Sequence, residues 1–356
     1  MNDELFTVIS NFNLVGNIIS LQPFGSGHIN KTYHVVTDKE EYILQTINNY
    51  AFKDVDVLMK NIDIVTSFIS HKGQKTLDII KTKKNELYYQ DDNKYYRVYR
   101  FIKDTICYET VGTDLSLAYK LGNAFGKLHL LLEDLDPNLV KETIVDFHNT
   151  RQRYLNFSNA FIYSPKEKRV LAKKEIGYIL NHNKTYSWIV NGMKKGDIKK
   201  HIIHNDPKIN NVLFDKTTHN FLAVIDLDTV MPGSVLYDIG DSFRSLFTGE
   251  NEDNPDLSLQ KVNIDIFKEY MTGYLKEMKD YLTPREKELI PYSIYLMTIE
   301  CGMRFLEDYL RGNVYFHVAY ETHNLIRAKT QIALADDVLK NMDRLSKVVK
   351  EILKTL

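Results

Sequence analysis

Residues 204 to 211 read His-Asn-Asp-Pro-Lys-Ile-Asn-Asn, and no other segment of the sequence restricts the fold as strongly. The stretch places a histidine, an aspartate, a lysine and an asparagine in the spacing H-x-D-x-K-x-x-N. A carboxylate such as Asp206 can orient a hydroxyl group and accept its proton. The amide oxygen of Asn211, five residues later, is a suitable ligand for Mg²⁺. A surface turn that matches by chance is the alternative.

The same spacing is that of the catalytic loop of kinases. Phosphoryl transfer demands little covalent chemistry from a protein, since it depends mainly on positioning and on neutralising charge. We therefore interpret Asp206 as the catalytic base and Lys208 as the residue that neutralises charge on the transferring phosphoryl group. Asn211 is the first predicted magnesium ligand.

Two further features stand on either side of this loop in the order that a kinase requires. Downstream, the apolar run 221–225 ends in Asp226, which we predict to be the second magnesium ligand. Upstream, Gly25, Ser26 and Gly27 separate two β-rich segments, where backbone N–H groups can approach phosphate without interference from Cβ atoms. Each feature alone is more often only a turn. Their combination predicts a kinase-like fold and nucleotide binding by the glycine-rich loop.

The pattern of apolar residues changes near residue 103. Before it, strand-like segments surround one amphipathic helix at 55–69, whereas after it helical spacing dominates, as at 114–134 and 264–278. A Thr-Pro-Arg-Glu capping box at 283–286 predicts another helix that runs toward Leu310. The sequence thus predicts an α+β, protein-kinase-like bilobal fold. Its small β-rich N-lobe comprises residues 1–103 and its larger, mainly helical C-lobe comprises residues 104–356.

Composition excludes several classes of protein. The 356 residues contain 46 Lys and Arg and 47 Asp and Glu, which gives a formal net charge of -1. The chain as a whole therefore has no positive electrostatic field that would attract nucleic acid or an anionic membrane. Cys107 and Cys301 are too far apart in sequence to indicate a disulfide framework or a zinc site. The N-terminus is acidic and the chain has no long apolar run, so we expect a cytoplasmic protein that contacts no membrane. The oligomeric state stays open.

Over nearly its whole length the chain resembles the aminoglycoside phosphotransferase superfamily, and within it the N-acetylhexosamine 1-kinases. The matching stretches are GSGHINKTY (25–33), DFHNT (146–150), the loop 204–211, VIDLDTVMPG (224–233) and ECGMRFL (300–306). The catalytic loop specifies only the superfamily, while the longer stretches narrow the resemblance to this group. The resemblance implies phosphorylation of the anomeric hydroxyl of N-acetylglucosamine or N-acetylgalactosamine with ATP and Mg²⁺.

The resemblance also implies which residues contact the sugar. Besides Asp206, these are His28, Arg304 and Tyr315, with Tyr108 as a further candidate. For three of them another role is open. Arg304 could pair with a carboxylate of its own helix, Glu300 or Asp308; Tyr315 could pack in the core; and His28 could be a solvated loop residue.

Two positions depart from the protein-kinase pattern. Gln45 stands on the third strand where kinases have a phosphate-binding lysine, and the following helix offers Asn61 in place of its glutamate partner. Glutamine also tends to occupy this strand in the resembling group, so we keep Gln45 as a nucleotide contact. Phe101 and Ile102 are placed at the hinge, whose backbone would meet the nucleobase. The preference for ATP over GTP is not fixed by these residues.

Two other functions remain compatible with the sequence. One keeps the fold and changes the acceptor to another small hydroxylated molecule of the aminoglycoside, choline or homoserine type. The other is a nucleotide-binding pseudokinase, which the missing Lys–Glu pair favours. The retained Asp206, Asn211 and Asp226 argue against loss of catalysis.

Overall fold

The computed structural model describes residues 2–25, 30–248 and 252–356. These residues form two compact units. The first contains Met1–Cys107, Asp134–Val145 and Asn211–Pro232, and the second contains Tyr108–Glu133, Asp146–Asn210 and Gly233–Leu356. Two segments beyond residue 103 thus belong to the first unit. The division into folding domains at residue 103 stays a prediction.

The first unit is built on a six-stranded antiparallel sheet with the order β1-β2-β3-β6-β4, in which β5 also pairs with β6. Its elements are α1 (Asn2–Ile9), β1 (Ile18–Pro23), β2 (Thr32–Thr37), β3 (Glu41–Ile47), α2 (Val55–His71), β4 (Ile79–Ile80), β5 (Tyr89–Asp91) and β6 (Lys94–Arg100). Apolar side chains of α1, such as Val8 and Ile9, are buried with Val35, Leu44 and Val98 of the sheet. This cluster is the core of the unit.

A second, three-stranded sheet of the first unit comes from distant parts of the chain. It has the order β10-β9-β7 and is formed by β7 (Thr105–Ile106), β9 (Val212–Asp215) and β10 (Phe221–Val224). The hairpin of β9 and β10 follows the 204–211 loop directly, so the fold of this sheet fixes the residues at both ends of the hairpin.

The second unit is mainly helical. Its elements are α3 (Leu115–Leu132), α4 (Thr150–Tyr163), α5 (Lys166–Leu171), α6 (Lys173–Asn181), α7 (Trp188–Lys195), β8 (His201–Ile203), α8 (Val235–Thr248), α9 (Ile264–Met278), α10 (Pro284–Arg311), α11 (His323–Lys340) and α12 (Met342–Thr355), and the short strand β11 (Met231–Gly233) precedes α8. Helix α10 packs against α4, α8 and α11, while α3 packs against α9.

The strongest helix signals of the sequence are confirmed. Helix α10 begins with the predicted capping box, in which Thr283 and Glu286 each bind the other's backbone N–H, and it ends at Gly312 with a φ of 100°. The helices predicted at 55–69, 114–134 and 264–278 correspond to α2, α3 and α9. The α+β character, with strands first and helices after them, is confirmed. None of the helices in the described ranges has the length and apolar character needed to cross a membrane.

Candidate active site

The 204–211 loop leaves β8 and is held by a buried carboxylate that sequence reasoning missed. Asp238, in the first turn of α8, accepts hydrogen bonds from the backbone N–H groups of His204 (2.8 Å) and Asn205 (2.7 Å). Its Oδ2 atom also lies 2.9 Å from Nε2 of His129. Asn205 has a φ of 65°, a left-handed conformation that asparagine tolerates better than most residues. This anchoring fixes the backbone immediately before Asp206.

Asp206 is held by further contacts on both sides. Its backbone N–H donates to Nδ1 of the buried His204 (3.2 Å), and Ser242 donates its hydroxyl to the carbonyl of Pro207 (3.0 Å). The Asp206 side chain is 26% exposed, and Nζ of Lys208 lies 2.8 Å from its Oδ1. Burial acts to lower the pKa of Lys208, but the charge of Asp206, its hydrogen bond to Lys208 and the charge of Asp241 together raise this pKa. Lys208 is therefore a stable cation beside the predicted base.

A cavity of about 390 Å³ in the second unit brings together three of the predicted residues, Asp206, Lys208 and Arg304. Its volume lies within the range of roughly 300 to 1,000 Å³ that is typical of small-molecule sites. Phenylalanine rings and further charged side chains complete its lining. The helical unit thus contains a cavity of small-molecule size beside the 204–211 loop.

Arg304 projects from α10 into this cavity between two aromatic rings. Its guanidinium carbon lies 5.7 Å from the ring centroid of Phe147 and 5.5 Å from that of Phe316. The intrahelical pairing with Glu300 does not form, because Glu300 binds Nδ1 of His148 (2.9 Å) and the hydroxyl of Thr150 (2.5 Å).

The other proposed partner of Arg304, Asp308, has a structural role. It accepts hydrogen bonds from the backbone N–H groups of residues 314 to 316 and so fixes the chain after α10. This turn brings Phe316, not Tyr315, to the cavity. Tyr315 is 65% exposed, and the half-buried Tyr108 also lies outside the cavity lining. Their assignment as sugar contacts stays a prediction.

The cavity also contains an ion pair that the sequence did not indicate. Asp241 and Arg244 lie one turn apart on α8, with Nε of Arg244 2.7 Å from Oδ1 of Asp241, and Nη1 of Arg244 lies 3.1 Å from Oε1 of Glu252. Burial acts to raise the pKa of Asp241, but the guanidinium of Arg244 outweighs it and lowers this pKa. Both partners are therefore charged.

The two predicted magnesium ligands belong to the first unit and lie at the ends of the β9–β10 hairpin. Val212 pairs with Val224, and the backbone N–H of Ile225 donates to the carbonyl of Asn211 (2.9 Å). Asp226 follows directly; it is exposed and has a φ of 58°. The hairpin therefore brings the backbones of Asn211 and Ile225, which precedes Asp226, close together. An amide and a carboxylate oxygen are a donor set that fits Mg²⁺.

At the strand position where kinases have a lysine, this chain has Gln45, which is bound by a buried arginine. Oε1 of Gln45 accepts hydrogen bonds from Nε (3.0 Å) and Nη2 (2.9 Å) of Arg97, whose Nη1 donates to Asp228. Burial acts to lower the pKa of Arg97, but the charge of Asp228, its hydrogen bond to Arg97 and other negative charge nearby together raise this pKa. Asn61 instead binds the backbone of Lys141. Gln45 is thus held by Arg97, its direct partner on the neighbouring strand β6, and not by α2.

The remaining nucleotide candidates belong to the first unit as well. The backbone N–H of Phe101 donates to Glu41, and the carbonyl of Ile102 accepts from Thr105. The Phe101 ring lies 4.7 Å from the ring of His34. Gly25 has a φ of 74°, which favours glycine. Ser26, Gly27 and His28 lie outside the described residues.

Solved structures with a similar fold include kinases of several small molecules. One is a microcompartment-associated aminopropanol kinase, with 12% identity over 97% of this chain and 99% of that chain and a TM-score of 0.62. Another is the choline kinase of Cryptosporidium parvum Iowa II, with 15% identity over 94% of this chain and 93% of that chain and a TM-score of 0.59. A third is a spectinomycin phosphotransferase in complex with ADP and spectinomycin (14%, 95% and 98%, 0.54). At these identities the likeness shows the fold, and the predicted kinase-like fold is confirmed.

The sequence comparison identifies the family itself. The profile of the phosphotransferase enzyme family matches residues 20–270. This match spans more than half of the 356 residues and includes the whole 204–211 loop and Asp226. The chain therefore belongs to the phosphotransferase enzyme family.

Proposed function

We propose that this phosphotransferase transfers the γ-phosphoryl group of ATP to the anomeric hydroxyl of N-acetylglucosamine or N-acetylgalactosamine. The observation that carries the proposal is the cavity in which Asp206 and Lys208 lie with Arg304. Two of the stretches that resemble N-acetylhexosamine 1-kinases, 146–150 and 300–306, contact each other at this cavity through His148 and Glu300. Two of the segments that carry the resemblance thus also contribute residues to the pocket.

In the proposed reaction, Asp206 accepts a hydrogen bond from the anomeric hydroxyl and directs its oxygen at the γ-phosphorus. As the new O–P bond forms and the bond to ADP breaks, the hydroxyl proton moves to the Asp206 carboxylate. Lys208 offsets negative charge on the transferring group. Arg304 has only N–H donors, so it can donate hydrogen bonds to oxygen acceptors such as an amide carbonyl or a sugar hydroxyl.

Asn211 and Asp226 would hold Mg²⁺, which neutralises charge on the triphosphate when it is bound. Gly25, Ser26, Gly27, Gln45, Phe101 and Ile102 remain the proposed nucleotide contacts. The ADP bound to the similarly folded spectinomycin phosphotransferase supports an adenine nucleotide as donor. The buried Arg97 holds Gln45 and Asp228 in place and takes no direct part.

A kinase of the same fold with a cationic acceptor is the second candidate. Choline and aminopropanol kinases share the fold, and four carboxylates line the cavity: Asp206, Asp241, Glu252 and Glu300. Each of them already has a partner, namely Lys208 for the first, Arg244 for the next two and His148 for the last. Three cationic side chains of the same lining, Lys208, Arg244 and Arg304, offset most of the negative charge of the four carboxylates, which weakens the attraction for an external cation and favours a neutral acceptor.

The deciding experiment measures ADP release from Mg·ATP with a panel of acceptors, followed by ³¹P NMR of any product. The panel contains both N-acetylhexosamines, their non-acetylated parents, choline, homoserine and kanamycin. We expect turnover with an acetylated sugar and a doublet from an anomeric phosphate. Turnover only with choline, homoserine or kanamycin would replace the proposed acceptor, and nucleotide binding with no turnover at all would favour the pseudokinase.

A further inference from the structure

We propose that Arg304 is a charge filter, which excludes cationic acceptors because its own guanidinium occupies an aromatic cage. The inference rests on the proposed function in one respect, that the cavity beside Asp206 is the acceptor pocket. It deepens that function by naming the substrate class as uncharged polyhydroxylated molecules. Amino alcohols and quaternary ammonium compounds are the class that is excluded.

The geometry of the cage is that of a cation site. Phe147 and Phe316 lie 5.7 Å and 5.5 Å from the guanidinium carbon of Arg304, within the distance of about 6 Å at which a cation is attracted by an aromatic face. Cages of this kind recognise quaternary ammonium ligands in other proteins. Here the cation that fills the cage is part of the chain.

Both phenylalanines make contacts that do not involve Arg304, and the ring of Phe147 lies 4.4 Å from that of His148. Phe316 packs on the ring of Phe305 with 4.7 Å between centroids, and its backbone N–H donates to Asp308 (3.0 Å). The carbonyl of Phe147 accepts two hydrogen bonds from the guanidinium of Arg153, the shorter of 2.8 Å. The cage is therefore expected to persist when the Arg304 guanidinium is removed.

The charges around the cage make a second cation unfavourable. No carboxylate of the described residues lies within ion-pair distance of Arg304, while those that line the cavity are engaged elsewhere. The charge of Arg304 is felt by its neighbour, since burial first and then repulsion from Arg304 lower the pKa of Arg153. An ammonium group entering the cavity would meet the same repulsion.

The test compares a variant that removes the positive charge of Arg304 but keeps a long side chain with a variant that keeps the charge. Binding of tetramethylammonium and of choline is measured by isothermal titration calorimetry, without nucleotide, for the wild type, Arg304→Met and Arg304→Lys. Arg311→Met is the matched control, because Arg311 lies on the same helix, is 45% exposed at its side chain and pairs with Glu307 outside the cavity. We expect Arg304→Met to bind both cations at least about tenfold more tightly than the other three proteins.

The filter would be overturned if the wild type and Arg304→Met bound the cations with equal affinity. It would also be overturned if Arg304→Lys gained as much cation affinity over the wild type as Arg304→Met. Arg304→Gln provides a second uncharged variant if the methionine variant does not fold, and thermal melts verify folding of each protein. Because the readout is binding without nucleotide, it is independent of the acceptor assay. Tighter cation binding by Arg304→Met, combined with no sugar kinase activity of the wild type, would refute the proposed function alone. Sugar kinase activity of the wild type, combined with unchanged cation binding by Arg304→Met, would refute the filter alone.

Discussion

Asp206 is the residue on which the proposed chemistry depends most directly. Asparagine has nearly the same size as aspartate and leaves the neighbouring residues unchanged, but its amide group cannot accept the proton. We predict that Asp206→Asn lowers kcat by about 10²- to 10⁴-fold, a typical contribution of a general base, with nucleotide affinity within a few-fold of the wild type. Steady-state ADP release and nucleotide titration measure the two effects.

The control for this variant is Asp280→Asn, which changes an exposed carboxylate that follows α9 and does not line the cavity. It should leave both quantities unchanged. Turnover of Asp206→Asn close to the wild-type rate would remove the base assignment.

The buried pair of Arg97 and Asp228 makes a prediction about stability. Arg97 is 1% and Asp228 5% exposed at the side chain, so removing one partner leaves a charge in a poorly solvated place. We predict that Arg97→Met lowers the free energy of unfolding by roughly 3–5 kcal/mol. In the double variant Arg97→Met/Asp228→Leu, part of this loss should be recovered because neither charge is left unpaired.

Urea unfolding of the single and double variants measures the coupling between the two residues. The control is Lys60→Met, since the Lys60–Asp56 pair is exposed and such pairs contribute at most about 1 kcal/mol. Additive losses in the double variant would show that the pair is not coupled.

At the residue scale, the sequence reports only what is local. The spacing of Asp206 to Lys208 is contained in one short loop, and the structure places the two side chains 2.8 Å apart. The anchors of the site are distant in sequence: Asp228 is 131 positions from Arg97, and Asp238 is 34 from His204. An aspartate in such a position carries no local pattern that would distinguish it from a surface residue.

At the scale of elements, helices α3 and α9 pack closely enough to exclude side chains at their contact. A Cβ atom on Gly122 would lie 1.9 Å from the carbonyl oxygen of Tyr270. We predict that Gly122→Ala lowers the free energy of unfolding by roughly 1–3 kcal/mol or more, because backbone must move to accommodate the methyl group.

Gly177 on α6 is the matched control, since a Cβ atom there would meet nothing within 4 Å. Gly177→Ala should raise the free energy of unfolding by about 0.4–1 kcal/mol through the lower entropy of the unfolded chain. Chemical denaturation of both variants tests the contrast, and equal effects at the two positions would contradict the close packing.

Helices were predictable where an apolar stripe or a cap marks them. The capping box at Thr283 and the apolar spacing of α2, α3 and α9 are features of this kind. Helix α11 escaped prediction because its buried face includes Asn324, Thr330 and Gln331, which interrupt the apolar period. Asn324 donates to Asp308 and Gln331 donates to Glu252, and sequence periodicity does not report tertiary hydrogen bonds of this kind.

For the whole molecule, the division into units depends on contacts between distant segments. The side chain of Asn61 binds the backbone of Lys141, and Gln74 donates to the carbonyl of Leu222, so residues 134–145 and 211–232 join the first unit. A linear interpretation of the sequence orders strands before helices correctly but assigns such segments by their neighbours along the chain. The compact units depend instead on hydrogen bonds between residues that are 80 and 148 positions apart.

Ligand binding provides the prediction at this largest scale. A ligand that binds only the folded protein stabilises it by about 2.7 kcal/mol at one hundred times its Kd. We predict that Mg·ATP raises the Tm of the chain by several degrees. In Asp226→Asn, most of the Mg²⁺-dependent part of this rise in Tm should be lost, because the variant removes the proposed carboxylate ligand at the end of the β9–β10 hairpin. Differential scanning calorimetry with ATP, in Mg²⁺ or in EDTA, separates the two parts.

Asp280→Asn should retain the full shift, because its carboxylate lies outside the hairpin and the described cavity. Equal Mg²⁺-dependent shifts in Asp226→Asn and the wild type would remove Asp226 from the metal site. Parallel measurement of ADP release links binding to chemistry: stabilisation by Mg·ATP that survives in Asp206→Asn while turnover is lost assigns nucleotide binding and proton transfer to different residues. Stabilisation without turnover in the wild type, with every acceptor of the panel, would instead be the behaviour of a pseudokinase.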